Sequence, residues 1–153
     1  MIVAFIGSDS YWRKAYFAVK MWEAICTTIS VDGPNIFLFN NANYFNNDCL
    51  TIVDQLKKRY RKIERWYFHG GCDYDVGYVR YMARRYDKVC FPMQRIVFPC
   101  YMRDRSMIDK CDVLITYCTS DELDADKQSL CALAIEYARA NNKRLINIAG
   151  TNY

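Results

Sequence analysis

Apolar residues fall along this chain in short runs, and strand-like runs alternate with stretches of helical spacing. Met1 to Ile6 is continuously apolar and stops at Gly7-Ser8-Asp9-Ser10, which predicts a buried strand, a tight turn and a helix start with Ser or Asp as N-cap. Ala15, Phe17, Ala18, Met21, Trp22 and Ile25 then recur at helical spacing until Asp32-Gly33-Pro34-Asn35 interrupts them. Ile36 to Phe39 makes a second strand, followed by an Asn-rich loop, Asn40 to Asn47. Asn46, Asn47 or Asp48 can cap a helix with Leu50, Val53, Leu56 and Tyr60 on one face. Lys57, Lys58, Arg59, Arg61 and Lys62 form its other, solvated face, near a C-terminus that favours cations.

Arg65 to His69 reads as a third strand, ended by Gly70-Gly71-Cys72-Asp73. A helix carrying Val76, Val79, Tyr81 and Met82 follows, then a fourth strand from Lys88 to Phe91. Pro92 to Pro99 has no clear period. A short basic helix, Arg103 to Asp109, leads into Val113 to Cys118, whose β-branched and aromatic run fits a strand covered on both faces. Thr119 to Lys127 is a polar, acidic loop, Gln128 to Asn141 an amphipathic helix, and Arg144 to Ile148 the last strand.

Such alternation predicts an α/β sandwich with a mainly parallel central sheet. Val3, Phe5, Leu38, Tyr67, Val89, Leu114, Ile115 and Ile146 are its expected core. No repeat or linker divides residues 1–153, a length that suits one domain. A net charge of +4 suits an anionic small molecule or an oligonucleotide, although strong nucleic-acid binders usually carry a denser basic stripe. The eight cysteines are scattered, with no C-x-x-C and a single His, so neither a zinc site nor a disulfide framework is expected. With no leader and no long apolar span, the chain reads as a reduced cytoplasmic protein without a membrane segment.

Candidate chemistry gathers where strands end. Gly7-Ser8-Asp9-Ser10, Gly70-Gly71-Cys72-Asp73 and the loop after Cys118 could meet on one sheet edge. Glycines there let backbone N–H groups approach a phosphate or ribose, and the next helix adds a positive dipole end. Arg103 and Arg105, just ahead of the Val113 strand, can reach the carboxyl-end crevice where open α/β sheets bind ligands. The expected ligand site is therefore Gly7, Ser8, Asp9, Gly70, Gly71, Asp73, Arg103 and Arg105, with no metal and no cofactor. His69 stands beside the second pair of glycines and can equally be an edge or core histidine.

Arg103-Asp104-Arg105-Ser106-Met107-Ile108 with Cys111-Asp112-Val113-Leu114-Ile115 resembles the R-N-R-x-M-V…S-D-x-L-I segment of the YpsA-like branch of the SLOG superfamily. Ile6-Gly7-Ser8-Asp9 stands at the place of its T-G-H-R motif, and Gly70-Gly71-Cys72-Asp73-Tyr74-Asp75 is similar to its G-G-A-x-G-x-D turn. Glu136-Tyr137-Ala138 and Asn142 to Ile148 resemble its closing Y-A…K-x-I-N-I segment. The resemblance implies a Rossmann-like three-layer sandwich that binds a nucleotide-derived ligand. Lonely-guy phosphoribohydrolases, DprA-like proteins and sensors of ADP-ribose-type signals in antiviral systems belong to that superfamily.

Departures from the pattern bear on chemistry. The family's G-G-T phosphate turn falls on Ser129-Leu130-Cys131, and a Leu cannot take the positive φ that a glycine permits. Ala134 stands where the hydrolase branch has a glutamate, and Glu136 lies roughly 200° further round the helix. Three readings stay open: a sensor or sponge binding an ADP-ribose-like or cyclic nucleotide signal, an N-glycoside-cleaving enzyme using Asp9, Asp73 or Asp75, and a protein-interaction module, homo-oligomeric or otherwise, with a vestigial crevice.

Overall fold

The apolar runs become neighbours in one sheet whose six strands all run parallel. The computed structural model describes residues 1–12, 14–40, 43–70, 75–91, 99–124 and 129–150. Strands β1 (Ile2–Gly7), β2 (Asn35–Phe39), β3 (Ile63–Phe68), β4 (Lys88–Cys90), β5 (Val113–Tyr117) and β6 (Arg144–Asn147) lie in the order β4-β3-β2-β1-β5-β6. Between them run helices α1 (Ala15–Cys26), α2 (Tyr44–Arg59), α3 (Val76–Arg85), α4 (Pro99–Lys110), α5 (Ser120–Leu123) and α6 (Leu130–Ala140).

Side-chain alternation sorts the strand residues into two cores. Val3 and Phe5 join Phe37, Phe39, Val113 and Ile115 under α1, α2 and α3, through Met21, Ile25, Phe45, Val53 and Met82. Ala4 and Ile6 face the other way with Leu38 and Leu114, against Met107 and Ile108 of α4 and Ala134 and Ala138 of α6. The first three connections move outward from β1 on one face, and those through α4 and α6 serve the opposite side on the other face. A constant hand of crossover requires that arrangement. The three-layer, Rossmann-like α/β fold expected from the sequence is thus the fold observed. No helix among the described residues is long and apolar enough to cross a membrane.

Six of the eight expected core residues are buried; Val89 and Ile146 are only half-buried, because they lie on the outermost strands, β4 and β6. Several boundaries differ from the expected ones. No Ser or Asp near Gly7 caps α1; that helix starts at Ala15 behind an extended Lys14 without a side-chain cap. In the connection, Tyr11 turns inward, donates its hydroxyl to Asp48 at 3.1 Å and packs edge-on against Phe45 and Tyr117. The cap of α2 is Asn43 rather than Asn46, Asn47 or Asp48, accepting from the Asn46 N–H at 3.0 Å. On α3 only Met82 is buried, while Val76 and Tyr81 are exposed. Helix α4 begins at Pro99, one turn before the expected Arg103. The acidic stretch after Thr119 opens with the short helix α5 instead of continuing as loop. Residues 92–98 lie outside the described residues.

Sheet edge β4 is fastened by one carboxylate. Asp87 accepts from the Arg65 backbone N–H at 2.8 Å, from Arg65 Nε at 3.1 Å and from Lys57 Nζ at 2.6 Å. Partial burial opposes its ionisation, but the bonds from Arg65 and Lys57 win and hold its carboxyl well below the usual carboxylate range. Because the folded value is the lower one, this contribution is complete above the ordinary carboxylate pKa. It is lost as pH falls towards the depressed folded value. Asp87→Asn should cost about 1 kcal/mol at neutral pH and should flatten the acid limb of stability. Urea unfolding of both proteins from pH 7 down to pH 2 checks this; parallel acid limbs would show that Asp87 does not supply the dependence.

Candidate functional site

In an open parallel sheet, the strand whose two neighbours connect in opposite directions leaves a crevice at its carboxyl end. Here that strand is β1, between β2 and β5. A cleft of about 230 Å³ opens there, lined by Gly7, Ser8 and Asp9 after β1, Asn40 after β2, Arg103 and Asp104 of α4, and Ser129 to Cys131 at the start of α6. The 11-residue α6 therefore presents its positive dipole end to the cleft.

Arg103 and Asp104 build its floor. Both are buried, and Arg103 Nε donates to Asp104 Oδ1 at 2.8 Å. The same oxygen accepts from Asn40 Nδ2 at 2.8 Å. Asn40 Oδ1 accepts in turn from Asn46 Nδ2 at 3.1 Å, and Asn46 Nδ2 also reaches Asn43 Oδ1 at 3.0 Å. Asn43 Nδ2 closes the chain on the Gly7 carbonyl at 3.0 Å and on Asp9 Oδ1 at 3.2 Å. A buried polar network thus runs from α4 through the ends of β2 and α2 to the first turn. The Nη groups of Arg103 make no hydrogen bond to any described residue.

The first turn faces a carboxylate. Ser8 Oγ donates to Glu122 Oε1, and Ser10 Oγ reaches the same oxygen at 3.0 Å. Glu122 Oε2 accepts from the Thr119 backbone N–H and hydroxyl, each at 2.9 Å, as the N3 residue of a capping box does. Partial burial works against the charge, but the bonds from Ser8, Thr119 and Ser10 hold the carboxyl below its ordinary value. Ser8 therefore spends its hydroxyl proton on Glu122, which binds the α5 segment to the end of β1.

Of the expected site residues, the cleft brings together Gly7, Ser8, Asp9 and Arg103. Gly70 packs on the far side of Arg103: a Cβ there would stand 2.9 Å from Arg103 Nη1. Gly71 and Asp73 lie outside the described residues. Arg105 does not line the cleft. Two positions on from Arg103 it is about 200° round the helix, with its guanidinium 4.3 Å from the Tyr137 ring and 5.6 Å from that of Tyr101. Gly7 also has a packing reason, since a Cβ would fall 2.2 Å from the Phe45 ring. His69 is half-buried among the rings of Tyr67, Tyr78 and Phe91, and it is no part of the cleft lining. Asn40 and Asp104 are additions that sequence reasoning missed, while Ser129 and Cys131 stand where the resemblance places the phosphate turn, although the expected ligand site did not include them.

Other residues in the family-like segments act as scaffold. Tyr137 donates to Asp109 at 2.7 Å, and Lys143 Nζ donates to the carbonyls of Asp109 and Cys111. Asn147 bonds both backbone groups of Cys118, accepting from its N–H at 3.1 Å and donating to its carbonyl at 2.8 Å. Ala134 is buried against the sheet, and Glu136 is exposed. Asp75 caps α3 by accepting from the Gly77 N–H at 2.8 Å. That leaves Asp9 as the candidate catalytic carboxylate among the described residues that faces the cleft.

Arg103→Ala would strand the buried Asp104 with Asn40 as its remaining described partner. It should destabilise the protein by about 3–5 kcal/mol, and adding Asp104→Asn should restore part of the loss, because an amide needs no counter-charge. Urea denaturation of wild type, single and double variants measures both effects; an additive double variant would mean the two groups act independently.

No protein-family model matches the chain, and no curated protein matches it either, so what the cleft does has to follow from its own geometry.

Proposed function

We propose that this protein binds a nucleotide-derived ligand of the ADP-ribose or cyclic-nucleotide kind at the switch-point cleft, as a sensor or sponge without chemistry of its own. One observation carries the reading. A buried arginine, its Nη groups unbonded among the described residues, and the N-terminus of α6 line the same crevice at the carboxyl end of β1. Guanidinium and helix dipole are complementary to a phosphate, and the planar guanidinium can engage it bidentately. The resemblance of the Arg103 to Ile115 segment to SLOG domains points the same way.

The carboxylates refine the ligand class. Asp9 in the cleft and Glu122, bonded to Ser8, repel a lone phosphate; Asp9 can accept hydrogen bonds from hydroxyls, whereas Glu122 already accepts from Ser8, Ser10 and Thr119. A ligand with both a phosphate and a ribose diol satisfies the two halves together. A cleft of about 230 Å³ is smaller than the roughly 300–1,000 Å³ of pockets that enclose a whole drug-sized ligand. It holds part of a nucleotide, with the remainder outside.

Catalysis is disfavoured by the same geometry. The position of the hydrolase glutamate is Ala134, whose methyl group is buried between α6 and the sheet, and Glu136 faces solvent. Incubation with AMP should release no adenine above the uncatalysed rate by chromatography; enzymatic release would move the protein into the hydrolase class.

Calorimetric titration with ADP-ribose, AMP and a 3′,5′-cyclic nucleotide should find one that binds. Arg103→Lys, which keeps the charge beside Asp104 but loses the planar fork, should weaken that binding about tenfold to a hundredfold. Arg105→Ala, remote from the cleft, should bind as wild type does. Equal affinity in wild type and folded Arg103→Lys, or no binding by any of the three probes, would defeat this reading.

A further inference from the structure

Two thiols that lie 13 positions apart in sequence meet at the wall of this cleft. Cys118 directly follows β5, and Cys131 sits in the first turn of α6, with their Sγ atoms 2.6 Å apart. Both side chains are buried, and Cys131 lines the cleft. Neither is free to drift: Asn147 holds the backbone of Cys118 from both sides, and Cys131 is packed with Ala132 and Ile135 in a small core of its own. The two thiols are in direct contact, which is the arrangement a bond between them requires.

Glu122 is the third group near them, with its carboxylate within 4.8 Å of both sulfurs. A shared metal ion fits this trio poorly. Glu122 already accepts four hydrogen bonds, from the hydroxyls of Ser8 and Ser10 and from the Thr119 N–H and hydroxyl, which leaves its carboxylate without a free lone pair for an ion.

We propose that Cys118 and Cys131 form a reversible redox pair, oxidised by a small hydroperoxide that enters through the cleft, with Cys131 as the attacking sulfur. Geometry makes the choice between the two sulfurs, since Cys131 lines the cleft and stands at the N-terminus of α6, where negative charge is stabilised. Titration agrees. The hydrogen bond between the thiols, followed by burial, raises Cys118, and the same bond lowers Cys131. Buried thiols elsewhere behave differently: burial pushes Cys111 up to about 11 and Cys49 well above the ordinary value.

In the first step the Cys131 thiolate attacks the terminal hydroxyl oxygen of the hydroperoxide and the O–O bond breaks. Cys131 becomes a sulfenic acid, and the leaving hydroxide or alkoxide takes up the proton that Cys131 released. Cys118 then attacks the sulfenic sulfur, an S–S bond forms, and the sulfenic oxygen leaves as water with the Cys118 proton. Two thiols are oxidised by two electrons and one hydroperoxide is reduced to water and an alcohol, or to two waters. A dithiol reductant reverses the change. Oxidation closes the segment from 118 to 131 into a covalent loop that carries Glu122, the partner of Ser8, so the pair controls the wall of the cleft. This inference does not depend on the identity of the ligand.

The test exposes the reduced, full-length protein to hydrogen peroxide, then unfolds it, alkylates the remaining thiols and maps the peptides. Of the eight cysteines, two should lose alkylation together, joined as a Cys118–Cys131 peptide that dithiothreitol releases. Cys118→Ser should leave Cys131 as a sulfenic acid that dimedone traps, and Cys131→Ser should leave Cys118 reduced. Should either variant fail to fold, the wild-type map decides alone. Peroxide doses that oxidise the exposed Cys26 and Cys100 but leave Cys118 and Cys131 alkylatable would overturn the proposal. So would stoichiometric zinc bound to the pair in purified protein, and dimedone on Cys118 instead of Cys131 would overturn the assigned roles.

Discussion

A carboxylate buried among the strand ends holds the functional edge of this molecule together. Asp104 accepts from its neighbour Arg103 and from Asn40, and through Asn46 and Asn43 the same network ends on the Gly7 carbonyl. Parallel sheets need such a device at their carboxyl edge, because chain segments leaving a doubly covered sheet carry polar backbone into the interior. Each group in the chain is costly to bury alone and acceptable when bonded. The network therefore ties α4, which crosses from the β4 side of the sheet to β5, to the ends of β1 and β2. The floor of the cleft is a by-product of satisfying that polarity.

The fold was legible because one residue class decides it. Val113 to Tyr117 is buried throughout, as a strand covered by two helix layers must be, and its sequence has no polar alternation to suggest otherwise. Boundaries were less legible where side chains bond across the fold. Ser8 and Ser10 look like caps for a following helix, but their hydroxyls face a glutamate more than a hundred residues away, and α1 starts without a side-chain cap. Helix α4 carries an Arg-Asp-Arg triplet whose two cations look equivalent in sequence. Helical geometry separates them by about 200°, so one enters the buried network and the other stacks on Tyr137. The two-residue spacing alone implies that separation, as it does between Ala134 and Glu136.

Glycine carried two different messages, and local sequence could not tell them apart. After a strand it signals a turn or a close approach to a ligand, and here the close approach is by protein. Phe45 fills the space beside Gly7, and Arg103 fills that beside Gly70. Long-range contacts of this kind leave no periodic trace. The cysteines are neighbours of the same kind: Cys118 directly follows β5 and Cys131 lies in the first turn of α6, the helix that returns the chain to β6, with α5 between them in sequence. Scanning for C-x-x-C looks for neighbours in sequence and passes over neighbours in topology.

The balance of charge at the cleft decides what it can hold. Arg103 is half-neutralised by Asp104, Asp9 stands at the rim, and Glu122 keeps its negative charge beside Ser8, so a bare phosphate meets nearly as much repulsion as attraction. A glycine-rich phosphate loop resolves this with converging backbone N–H groups; Ser129-Leu130-Cys131 supplies a helix N-terminus but not that close backbone approach. Hydroxyl-rich ligands reverse the sign of the problem for Asp9, since a carboxylate that repels phosphate can accept from a ribose hydroxyl. The proposed selectivity for a molecule that is anionic at one end and a polyol at the other rests on that reversal.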